Sequence, residues 1–186
     1  MTDQLTVLGI AGSLRRGSYN VAALRTAHEL APAGMTIEMF EQLRDIPLYD
    51  EDVRQQGLPP AVETLRSRIA AADALLIVTP EYNGSIPGLL KNAIDWASRP
   101  PEQPFAGKPV AIMGASPGVL GTVRAQYHLR QSFVGLDALV MSRPEVMIGQ
   151  AHTRFDAEGH LTDEKTRGFV ASLLVALQAW VTRLRA

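Results

Sequence analysis

The sequence predicts an α/β protein of three layers: a five-stranded parallel sheet with helices packed on both faces. Two observations predict it. Short apolar runs alternate with amphipathic stretches in the order β-α-β-α-β-α-β-α-β-α. Two of those runs, "ALLIVT" at 74–79 and "VAIMGA" at 110–115, are apolar almost throughout, as strands covered on both faces are. Right-handed crossovers then place helices on both sides of the sheet. With no repeat and no linker, the 186 residues are expected to form one domain, 1–186.

The elements follow in order. "LTVLGIA" at 5–11 reads as the first strand. Residues 20–31 put Ala23, Leu24, Ala27, Leu30 and Ala31 on one helical face, and "APAG" ends that helix. Residues 36–40 alternate as a second strand. "DIPLYDEDVRQQGLPP", 45–60, has no period and three prolines, so it reads as a loop. Residues 61–72 are helical, with Val62, Leu65, Ile69 and Ala72 on one side. After the strand at 74–79, residues 86–97 form a helix with Pro87 in its first turn. A proline-rich turn, "RPPEQPFAGKP", leads to the strand at 110–115. A helix at 119–134 and a fifth strand at 138–141 follow. "AHTRFDAEGHLTDE", 151–164, reads as an irregular surface loop with a turn at "DAEG". The last helix takes Thr162 as N-cap, Asp163 and Glu164 in its first turn, and Arg183 and Arg185 in its last. Its buried stripe is Phe169, Leu173, Leu177, Trp180 and Leu184.

Composition excludes several classes. The net charge of −1 argues against a nucleic-acid or anionic-membrane partner. No apolar run approaches the roughly 20 residues that span a bilayer. "MTDQLTV" has no basic n-region and no apolar h-region, so a cytoplasmic protein is expected. There are 0 cysteines, which removes disulfides, thiolate nucleophiles and iron–sulfur ligation. His28, His128, His152 and His160 lack the spacing of a zinc site, so no metal is expected.

Ligands of such sheets bind at the carboxyl ends of the strands. That selects three loops: "GSLRRGSYN" after the first strand, "PEYNGSIPG" after the third and "SPGVLG" after the fourth. The first lacks the GxxxxGK[ST] of a nucleoside-triphosphate loop. Its spacing, Gly9-x-x-Gly12-x-x-x-x-Gly17, is not the GxGxxG of dinucleotide folds. What remains is Ser13, Arg15, Ser18, Asn20 and backbone N–H groups opening into a helix, which suit one terminal phosphate; a plain βα turn with a serine cap is the other reading. In the second loop Tyr82 offers an aromatic surface to a planar ring, and Gly84 permits φ > 0 so that N–H groups face it. Together the loops predict a mononucleotide with a flat heterocycle.

"GSLRRGSYN", "TPEYNGSIPGLLKNAIDW" and "YHLRQ" at 127–131 resemble the NADPH-dependent FMN reductase family, whose flavodoxin-like members include bacterial quinone and chromate reductases and related azoreductases. The resemblance runs from about Leu5 to Met147. It implies the flavodoxin-like strand order 2-1-3-4-5 and FMN held non-covalently. The family's GSxRxxSxN loop falls on Gly12, Ser13, Arg15, Ser18 and Asn20, and its PEYN loop on Pro80, Glu81, Tyr82, Asn83 and Gly84. Ser116, Pro117 and Gly118 would cover the other side of the ring, although "ASPGVLGTVR" is less glycine-rich than the family's usual version.

The resemblance further implies ping-pong hydride transfer. NADPH or NADH would reduce the flavin, and a small-molecule acceptor (a quinone, azo dye, flavin or metal oxyanion) would reoxidise it. No catalytic side chain is expected. Glu81 reads either as the acidic candidate or as a solvated turn carboxylate. Arg15 reads as a ligand of the FMN phosphate or of an incoming NADPH. The family also implies a homodimer or homotetramer, with Trp96, the "RAQYHLRQ" segment and an Arg124–Tyr127–Glu145 cluster as candidate contacts; Trp96 reads equally as a core residue. An FMN-binding electron carrier without reductase activity is the competing class, and such carriers are usually strongly acidic. A phospho-receiver is discounted because "AGS" and "TPE" stand where its carboxylates belong.

Overall fold

In the computed structural model, which describes residues 4–185, side-chain alternation builds two cores on one sheet. β1 (Leu5–Ala11) sends Leu5 and Val7 to one face and Leu8 and Ile10 to the other. β3 (Ala74–Val78) and β4 (Pro109–Ala115) are buried at every position. With β2 (Met35–Met39) and β5 (Leu139–Val140) they form a parallel sheet in the order β2-β1-β3-β4-β5, as the sequence predicts. Helices α1 (Tyr19–Glu29) and α6 (Glu164–Arg185) cover the Leu5–Val7 face. Helices α3 (Pro60–Ala71), α4 (Gly88–Ala97) and α5 (Val123–Val134) cover the Leu8–Ile10 face. None of the described helices is long and apolar enough to cross a membrane.

Several expectations need correction. The segment expected to be a loop holds a 3-10 turn at Gln42–Asp45 and a short helix, α2 (Glu51–Gln56). The latter buries no residue and so shows no apolar period. It forms because Asp50 caps it and Glu51 pairs with Arg54 at 2.6 Å. A sixth strand, β6 (Val146–Ile148), pairs with β4 at Met113–Ala115, beyond the Pro109–Val110 stretch that pairs with β5. α4 starts at Gly88, so Pro87 sits in the N-cap position rather than the first turn. α5 starts at Val123, because the loop 116–121 turns back on itself first.

At α6 the cap is Asp163, whose Oδ1 accepts the Thr166 N–H at 3.0 Å; the Thr162 hydroxyl donates to the Arg154 carbonyl instead. The helix is rotated from the expected stripe. Val170, Leu173, Leu174, Leu177 and Val181 are buried, while Phe169 and Leu184 are exposed. The 151–164 segment is also less superficial than expected: Ala151, Phe155 and Leu161 enter the core, and the "DAEG" turn between them closes through Gly159 N–H to Asp156 O. Trp96 is fully buried and donates its indole N–H to Pro47 O at 2.9 Å, so it is a core residue and not a contact between copies.

Candidate active site

Loops from β1, β3 and β4 converge at the carboxyl ends of the strands. A narrow cleft of about 80 Å³ brings together Ser13, Arg15, Ser18 and Asn20 from the first, Pro80, Glu81 and Tyr82 from the second, and Ser116 and Pro117 from the third. A broader cleft of about 530 Å³ shares Ser13, Arg15 and Tyr82 with it and adds Gly12, Leu14 and the start of α4. Asn83, Gly84 and Gly118 line neither cleft. Arg44 lines the broader cleft and was missed by sequence reasoning. It comes from the 3-10 turn after β2 and donates to Leu14 O at 3.1 Å, a placement with no local sequence signal.

The first loop is built around the start of α1. Ser18 caps the helix, its Oγ accepting from Asn20 N–H at 3.3 Å and Val21 N–H at 3.4 Å. The first turn carries no acidic residue, so the positive end of the helix dipole is not neutralised from within. Ser13 is nearly buried, while Arg15 is exposed and donates to Gly17 O at 2.7 Å. A capped helix start, two hydroxyls that retain their O–H donors and a guanidinium form a donor set that fits a phosphate. Asn20 lines the same cleft and also braces it. Its buried amide accepts from Ala115 N–H at 2.8 Å and donates to Ala115 O at 2.9 Å, tying the start of α1 to the end of β4.

The second loop is a two-residue hairpin. Tyr82 and Ser85 exchange backbone hydrogen bonds at 3.2 and 3.1 Å, and Asn83 and Gly84 between them have φ of 52° and 71°. Asn-Gly is the dipeptide that such left-handed turns select. The turn holds Tyr82 half exposed at the edge of both clefts. The Glu81 carboxylate turns toward α5 and is not free in solvent. In the third loop the Ser116 hydroxyl donates to Gly121 O at 2.7 Å and accepts from Gly118 N–H at 3.2 Å, leaving Pro117 and Gly118 on the surface.

A family model described as NADPH-dependent FMN reductase matches residues 5–153, a stretch that contains all three loops. The chain belongs to the NADPH-dependent FMN reductase family. It is 61% identical to an NAD(P)H-dependent FMN reductase of Pseudomonas aeruginosa and 48% identical to a quinone reductase of Escherichia coli, in each case over 100% of both chains. Among solved structures it is similar to FerB, a flavoenzyme NAD(P)H:(acceptor) oxidoreductase from Paracoccus denitrificans. That likeness has a TM-score of 0.87 and 39% identity, and covers 96% of this chain and 98% of that one. This member of the FMN reductase family thus has the expected flavodoxin-like fold. Of the side chains expected at its ligand, Asn20 and Glu81 make their hydrogen bonds to the protein's own backbone. In the expected Arg124–Tyr127–Glu145 cluster, Arg124 pairs with Glu81 and Glu145 with Arg143 within the one chain.

Proposed function

We propose that the chain is an FMN-dependent NAD(P)H oxidoreductase, formed as one domain, that passes electrons from NADPH or NADH to a quinone, azo, flavin or metal-oxyanion acceptor by a ping-pong route. The observation that carries this reading is the pair of adjoining clefts, where a phosphate-suited donor set and the exposed Tyr82 ring meet across neighbouring strands. Ser13, Arg15 and Ser18 would hold the phosphate of FMN, bound non-covalently, with Gly12, whose own N–H is spent on Val78 O, lining the adjoining broader cleft. Pro80, Tyr82, Asn83 and Gly84 would border the ring on one side, and Ser116, Pro117 and Gly118 on the other. When bound, FMN supplies the hydride chemistry that no side chain here carries. The protein's part is to orient the ring, offer N–H donors and leave room against the ring for NAD(P)H and then the acceptor.

Dimer or tetramer formation belongs to the same reading. Val119, Leu120 and Tyr127 are exposed apolar or aromatic residues on the β4–α5 side of the cleft, which a second copy would cover. A cytoplasmic setting follows from the supply of NAD(P)H.

Ser18→Asp tests the reading without disturbing the fold, because Asp caps a helix as well as Ser does. It sets a carboxylate against the phosphate, and like charges at such range cost several kcal/mol. The expected result is FMN binding weakened about 100-fold or more with an unchanged melting temperature. A full complement of flavin in this variant refutes the phosphate assignment. Wild-type protein whose flavin does not bleach under anaerobic NADPH refutes the reductase reading, and bleaching without quinone turnover makes it a carrier.

A further inference from the structure

Glu81 stands between Pro80 and the Tyr82 hairpin, and its side chain is only 11% exposed. It reaches the first turn of α5. Oε2 accepts the N–H groups of Arg124 at 2.9 Å and Ala125 at 3.1 Å, while Oε1 meets the Arg124 guanidinium at 3.3 Å. α5 has no cap of its own: Thr122, in the N-cap position, makes no side-chain cap bond, and the first turn has no acidic residue. Glu81 is therefore a cap supplied from 43 residues away. The far end of the hairpin is fixed to the same helix, because Ser85 Oγ and His128 Nδ1 are hydrogen-bonded at 2.9 Å. Between these anchors Gly84 lies against the Arg124 stem, where a Cβ would meet Arg124 Cδ at 3.4 Å.

We infer that Glu81 is a positioning residue: it holds the Tyr82 hairpin on α5 and thereby sets the ring-facing wall of the cleft, without itself touching the ligand. The inference rests on the reading of the cleft as an FMN site. Two contacts compete to explain the clamp. The Arg124 side chain is 60% exposed, so its ion pair is screened and weak. The two backbone N–H bonds, on a nearly buried acceptor at a helix start, carry most of the hold. A neutral amide oxygen at the same reach still accepts both N–H groups, whereas a shorter carboxylate reaches neither, so losing reach should cost more than losing charge.

The test is the FMN dissociation constant of the reconstituted wild type, Glu81→Gln, Glu81→Asp and Arg124→Ala proteins, each checked for native circular dichroism at the assay temperature. Gln keeps the reach and loses the charge; Asp keeps the charge and falls one methylene short. Glu81→Gln and Arg124→Ala are expected within about threefold of wild type, and Glu81→Asp about tenfold weaker. A Gln variant at least threefold tighter than the Asp variant supports the inference. A smaller difference, or the reverse order expected of a carboxylate acting directly on the ring, overturns it. Should the Asp variant not fold, Ser85→Ala releases the other anchor; weakening of about threefold supports the clamp, and no change overturns it. Wild-type protein that binds no FMN overturns both readings, whereas wild-type binding with unchanged variants overturns only this one.

Discussion

Replacing Asn20 by Ala removes the tie between α1 and β4 and should be the most damaging polar-to-apolar change at the site. Asn20 and Ala115 are 3% and 2% exposed, so the Ala115 N–H and carbonyl lose their partners where water reaches them poorly. Each orphaned group costs about 1–3 kcal/mol, and the neighbouring cleft can relieve part of that by admitting water. The sum is about 2–4 kcal/mol. In urea, with a slope of about 2 kcal/mol per molar, the midpoint should fall by roughly 1–2 M with the slope unchanged. Thermally this corresponds to a drop of about 5–15 °C for a domain of this size. Asn20→Asp is a stringent companion. It keeps an acceptor for the Ala115 N–H but sets a carboxylate oxygen against the Ala115 carbonyl, so it should be at least as destabilising at neutral pH. An Asn20→Ala protein within about 0.5 kcal/mol of wild type would refute the tie as a source of stability.

Other expectations follow from single contacts. The Arg54 guanidinium, and after it the Tyr49 hydroxyl, hold the Glu51 carboxyl down to about 2 from its ordinary 4.5. A carboxyl lowered in the folded state contributes stability that is complete above about 4.5 and lost as pH falls toward about 2. Melting temperature should therefore decline across that window, and less steeply in Glu51→Gln; an identical acid slope in the variant refutes it. Asp156 and Asp163, lowered by the His160 backbone N–H and the Thr166 hydroxyl respectively, add to the same acid loss. Gly114→Ala places a methyl group inside the contact radius of the Thr79 carbonyl and the Thr122 hydroxyl, both buried. It should cost about 3 kcal/mol or more, read as a lower urea midpoint or insoluble protein, and a wild-type midpoint refutes it.

What could be read in the sequence divides along a physical line. β1, β3 and β4 were legible because burial on both faces leaves continuous apolar runs, and α3 because Val62, Leu65, Ile69 and Ala72 keep a helical period. α2 was not, since its capping and ion pair leave no hydrophobic trace. Nor was β6: three residues are too short for a pattern, and their pairing is decided by where β4 has room. In the site, the convergence of three loops followed from topology, and Gly84 marked a place where φ > 0 is allowed, although the two-residue hairpin itself appeared only in the structure. The side-chain roles did not follow. The partner of Asn20 lies 95 residues on, and that of Glu81 lies 43 residues on, so nothing in either loop announces them. α6 shows the same limit at smaller scale. Phe169 and Leu184 fit a helical stripe equally well, and packing against α1 and the sheet selected a neighbouring one.

The division of β4 between β5 and β6 bears on how the sheet avoids adding foreign strands at its edge. A sheet margin offers a row of unspent peptide groups, and a long straight row is a template for adding foreign strands. Here that margin is broken into one segment of two residues and another of three, with Pro144 between them. Neither is long enough to seed a stable intermolecular ladder, and the proline has no N–H to offer one. On the opposite margin β2 is five residues long and turns Thr36 and Glu38 outward, with Arg68 engaged on Glu38. Both borders of the sheet are thus poor sites for amyloid-like growth. The chain can carry strands as apolar as β3 and β4 because these are confined to the middle.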